Sequence, residues 1–110
     1  MTIIIYLLCE VCRENKAGRA YIGRVNTTVS GKQCQRWSVD TPHLPDPSFT
    51  SDDEFPDGSR MAAENYCRNP DPKWTKGVWC YTMDPSMPRE PCDVPECGKS
   101  FSAVESQTAR

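Results

Sequence analysis

Long apolar runs are missing from this 110-residue chain, and so is any histidine beyond His43. The stretch "IIIYLLC" at 3–9 is far shorter than the roughly 20 residues a bilayer-crossing helix needs. No membrane span is therefore expected in this chain. Hydrophobic residues make up only 37% of the total, with seven cysteines counted among them, so apolar burial alone gives a chain of this size little stability. Basic excess is lacking too: 13 Lys and Arg stand against 15 Asp and Glu, for a net charge of -2. That balance offers no cationic stripe for a phosphate backbone and argues against nucleic acid as a partner. A single histidine rules out a two-imidazole proton relay. No serine stands in a G-x-S-x-G setting, and Glu14, Glu54 and Glu64 are scattered singly. An enzyme is not expected, and no cofactor is called for. His43, in a "PH" turn, reads as a hydrogen-bonded structural residue.

What the chain does have is cysteine. Seven in one small domain indicate a disulfide framework in an oxidising compartment or a zinc module in a reducing one. Zinc calls for four ligands, usually brought by paired knuckles. Only Cys9 and Cys12 have that spacing, and Cys92 and Cys97 stand four residues apart. The cysteines read as covalent staples, with no metal site. The odd count leaves one over; its place at the end of the apolar run makes Cys9 the spare. Residue counting leaves the pairing of the other six open.

Residues 1–11 form an apolar segment, read as a truncated signal, a first strand or an artificial start. It has no basic residue ahead of its apolar run and no small-x-small cleavage site. "RAYIGRVNTTVSGKQCQRW" at 19–37 reads as short extended pieces joined by a turn at Ser30 and Gly31. Asn26-Thr27-Thr28 is an N-glycosylation acceptor triplet. Four prolines and an acidic run make 41–59 a surface loop. "SRMAAEN" at 59–65 fits one helical turn capped by Ser59. "GVWCYTMD" at 77–84 reads as a strand and "CDVPEC" at 92–97 as a tight closing segment. Residues 98–110 lose the cysteine rhythm and read as a polar tail or linker.

Taken together, Cys12, "YIG" at 21–23, "SGKQCQRW" at 30–37, "PH" at 42–43, "NYCRNPD" at 65–71, "WCYTMDP" at 79–85 and "CDVPEC" at 92–97 resemble a kringle domain spanning 12–97. The resemblance implies a small disulfide-rich fold, with few short antiparallel strands and mostly ordered loops. It also implies the pairs Cys12–Cys97, Cys34–Cys80 and Cys67–Cys92, with Trp37, Tyr66 and part of Trp79 packed on the inner two. Its implied function is a non-catalytic recognition module of a secreted protein or cell-surface ectodomain, within a larger mosaic receptor or ligand. The alternative is the targeting domain of a secreted trypsin-like serine protease whose catalytic domain lies outside this chain.

Kringles that bind lysine use a groove with two aspartates spaced D-x-D, aromatic walls and a cationic end. An ammonium seeks concentrated negative charge, and its methylene stem seeks aromatic faces. The resemblance places Asp71 at the first acidic position, with Trp79 and Tyr81 as walls. Lys73 stands at the second acidic position, Arg89 where a third aromatic would be, and Pro88 where the cation would be. The groove is therefore expected to be degraded toward lysine, with Arg89 reaching over as a displaced cation. "PKWTKG" at 72–77 adds Trp74, either exposed at the loop tip or folded onto its own loop. Trp74, Lys73, Lys76 and Arg89 are the expected contacts for an extracellular protein or an anionic glycan.

Overall fold

The computed structural model describes residues 12–97. Segments 1–11 and 98–110, and with them the reading of Cys9, lie outside the described residues. The cysteines pair as Cys12–Cys97, Cys34–Cys80 and Cys67–Cys92. Cys12–Cys97 joins residues 85 apart and closes the whole domain into one loop. The inner bridges span 46 and 25 residues and cross one another, with Sγ of Cys34 3.7 Å from Sγ of Cys67. The sulfurs of Cys34, Cys67, Cys80 and Cys92 lie within 4.8 Å of one another. Held as two disulfides, they carry no thiolate to offer a metal.

Regular structure is sparse. Strand β1, Trp79–Tyr81, pairs antiparallel with β2, Arg89–Pro91, in the register Trp79↔Pro91, Cys80↔Glu90, Tyr81↔Arg89. The β-favouring run Val78–Thr82 is buried along its whole length. The loop between the strands is shaped by Asp84, whose Oδ1 accepts from both the backbone N–H and the hydroxyl of Ser86. A side chain that bonds the backbone two residues on supplies such a turn locally. The acidic loop contains a single 3-10 turn, Asp52–Glu54. At 59–65 a short turn does form, and the Ser59 hydroxyl accepts from the Ala62 N–H at 3.0 Å. No helix among the described residues is long and apolar enough to cross a membrane.

The core is an aromatic cluster around the crossed bridges. Trp37 is 1% exposed and Trp79 is fully buried. Their rings meet edge-on at 5.2 Å between centroids, an arrangement that suits the quadrupoles of two aromatic systems. Tyr21, Phe55, Val78 and Val94 complete it. Tyr66 departs from expectation: it is half-buried and lies outside the cluster, its ring 5.5 Å from the guanidinium carbon of Arg68. Tyr21 takes the interior place instead, at 2% exposure. His43 behaves as a structural residue. Its backbone N–H donates to Gln35 Oε1, its carbonyl accepts from Gln35 Nε2, and its ring Nε2 donates to the Asp84 carbonyl.

Candidate functional site

The two-residue period of a strand decides which side chains of β1 share a face. Trp79 and Tyr81 point one way and Cys80 the other, toward its bridge. The register places Arg89 opposite Tyr81, so the hairpin sets an arginine beside two aromatic walls.

A loop from 69 to 74 forms the rim. Arg19 holds it through four carbonyl contacts. One guanidinium nitrogen donates to Asn69 O and Asp71 O at 3.4 and 2.8 Å, and the other to Pro72 O and Trp74 O at 3.0 and 3.4 Å. Asn69 ties the same loop to the floor. Its Oδ1 accepts from the Trp79 indole at 3.0 Å, and its Nδ2 donates to the carbonyls of Ala17 and Trp74. Neither Arg19 nor Asn69 was singled out from sequence, because their role is to brace the backbone and not to present a ligand-type group. Asn69 does belong to the "NYCRNPD" stretch, which was the available signal.

Asp71 is 6% exposed, and both its carboxylate oxygens are engaged. Oδ1 accepts from the Lys73 N–H at 2.9 Å, and Oδ2 accepts from Arg89 Nη1 at 3.1 Å. The Arg89 guanidinium carbon sits 4.5 Å from the Trp79 ring centroid, 4.7 Å from that of Trp74 and 5.8 Å from that of Phe49. The Arg89 guanidinium thus lies against Asp71 and the aromatic rings beside it. Its charge is paired with the chain's own Asp71 carboxylate.

Trp74 is half-buried and folded inward. Its ring lies 5.8 Å from Trp79 and within 5.6 Å of the Lys76 ammonium. Trp74 and Phe49, from other loops, thus bring two further aromatic rings to the Arg89 guanidinium. The indole N–H of Trp74 is buried and has no hydrogen-bond partner among the described residues, so the ring itself is held by packing and stacking. Asp46 joins Ser48, Phe49, Asp71, Pro72 and Lys73 around a cavity of about 250 Å³. Hydrogen bonds from the Ser48 N–H and hydroxyl hold the Asp46 carboxyl below the usual range, with a smaller contribution from the charge of Arg89. Burial pushes the Tyr81 phenol up, against hydrogen bonding from the Asp46 backbone. Lys73, Lys76 and Pro88 are exposed.

Asn26 of the acceptor triplet is half-buried, and Thr28 is 5% exposed. The Thr28 hydroxyl accepts from the Lys32 N–H at 3.1 Å.

Three disulfides, the inner two crossed, around a short central hairpin are the attributes of one class of small disulfide-rich module. A kringle-domain family model matches residues 12–97, and the chain belongs to the kringle family. Kringles are non-catalytic, protein-binding modules, typically extracellular.

Proposed function

We propose that this kringle is a recognition module that does not take up free lysine and instead meets a partner protein with the surface around its 72–77 loop. One observation carries the reading: Arg89 is ion-paired to Asp71 and stacked on Trp74 and Trp79, where a ligand's ammonium would have to lie. An incoming ammonium would have to displace a tethered guanidinium, and Lys73 beside Asp71 adds repulsion where a second acid would have attracted it. The rim is what remains accessible. Exposed Lys73 and Lys76 border it and suit an acidic protein surface, within a larger secreted or cell-surface mosaic protein. Retention on heparin lost on neutralising Lys73 and Lys76 would mark an anionic glycan as the partner instead. Carbohydrate at Asn26 belongs to the same proposal. Since the Thr28 hydroxyl is engaged in the folded domain, its attachment would precede completion of the fold.

Calorimetric titration with 6-aminohexanoate tests the closed groove. No saturable binding is expected in the sub-millimolar range; a sub-millimolar dissociation constant would overturn the reading.

A further inference from the structure

Arg89 is surrounded as a bound ligand would be. Three aromatic rings lie within 6 Å of its guanidinium carbon, and a carboxylate with 9% side-chain exposure accepts from Nη1. This is a complete recognition set for a planar cation: π faces for the delocalised charge and an anion at its edge. The Arg89 side chain itself is 31% exposed, so the position is open to solvent on one side. Replacing it with a small residue would leave the Asp71 carboxylate without its cation and the rings without their central contact. A small cation could enter from the open side.

We infer that the groove is a latent guanidinium site for which Arg89 serves as the intramolecular ligand. The preferred class is an alkylguanidinium over an alkylammonium. The group held here is itself a guanidinium, with the Trp74 and Trp79 ring centroids 4.7 and 4.5 Å from its central carbon, and the position where a second acid would concentrate charge for an ammonium is occupied by Lys73. The backbone of Trp74 is held by Arg19 and Asn69, but its ring stacks on the Arg89 guanidinium, so the ring's environment changes when Arg89 is removed and is restored when a guanidinium returns.

This inference rests on the closed-groove reading, and the two fail separately. Wild type binding 6-aminohexanoate below millimolar sinks the closed groove; the Arg89 variants decide the latent site. Arg89→Ala opens the position, and Arg89→Thr does so with a residue that favours the strand. Each is titrated with butylguanidinium chloride by calorimetry, by tryptophan fluorescence and by the shift in Tm, so that a destabilised variant still reports through ligand-linked stabilisation. Both are expected to bind butylguanidinium at least about tenfold more tightly than wild type, and more tightly than they bind 6-aminohexanoate. Adding Asp71→Asn should abolish the gain. Butylguanidinium affinity no greater than wild type in both variants, or a gain that survives Asp71→Asn, overturns the proposal.

Discussion

Arg68 carries its charge with only 2% of its side chain exposed. Asp57 meets it in a two-pronged pair, Nε to Oδ1 and Nη2 to Oδ2, both at 2.8 Å. Nη1 donates to the carbonyls of Gly23 and Cys67, and the rings of Tyr21 and Tyr66 lie 5.5 Å away. A planar fork matched to a carboxylate is what makes burying such an ion tolerable. Truncating the acid would leave that ion without its counter-charge. Asp57→Ala is expected to cost about 3–5 kcal/mol in denaturant unfolding. A loss under about 1 kcal/mol, the range of exposed pairs, would show that water replaces the carboxylate. Arg89 illustrates the other use of the same chemistry. There a single guanidinium nitrogen, Nη1, meets Oδ2 of the largely buried Asp71, and the rest of the ion lies against aromatic rings.

Among the elements, strand β1 was the most legible in sequence, whereas its partner β2 carries two charged residues and a proline that mark no strand. "GVWCYTMD" has the aromatic and β-branched character of a strand, and β1 falls inside it. Asp71, Trp79 and Tyr81 were also readable, since each stands in a stretch shared with kringles. The Arg89 contact was harder to see. It joins residues 18 apart and depends on the hairpin register that sets Arg89 across from Tyr81. Phe49 and Asp46 enter from the acidic loop, whose composition shows only that it is surface. Their approach to the groove is made by the fold as a whole. The turn joining the strands carries its own pH dependence. Hydrogen bonding from the Ser86 N–H, then from Lys32 and the Ser86 hydroxyl, lowers the Asp84 pKa from 3.8 to about 2. A depressed folded value means that the stabilisation is present above the unfolded pKa and lost as pH falls through the folded one. Thermal melts between pH 3.8 and about 2 should therefore fall less steeply for Asp84→Asn than for wild type. Equal slopes would remove Asp84 from the acid response.

At the scale of the whole molecule, covalent links take over work that larger domains assign to apolar burial. The described residues contain two three-residue strands and one 3-10 turn, and the core cluster includes four of the six bridged cysteines. In the chain-entropy picture, a loop as long as the one closed by Cys12–Cys97 contributes about 4–5 kcal/mol. Loops fixed in this way hold Phe49, Asp71 and Trp74 around Arg89 with almost no regular structure behind them. The direct measurement is near-ultraviolet circular dichroism before and after full reduction without denaturant, with intact mass recording the hydrogens gained. Loss of the tertiary aromatic signal as the three bridges open is the expected result. A fully reduced protein that keeps that signal would contradict a fold held by its disulfides.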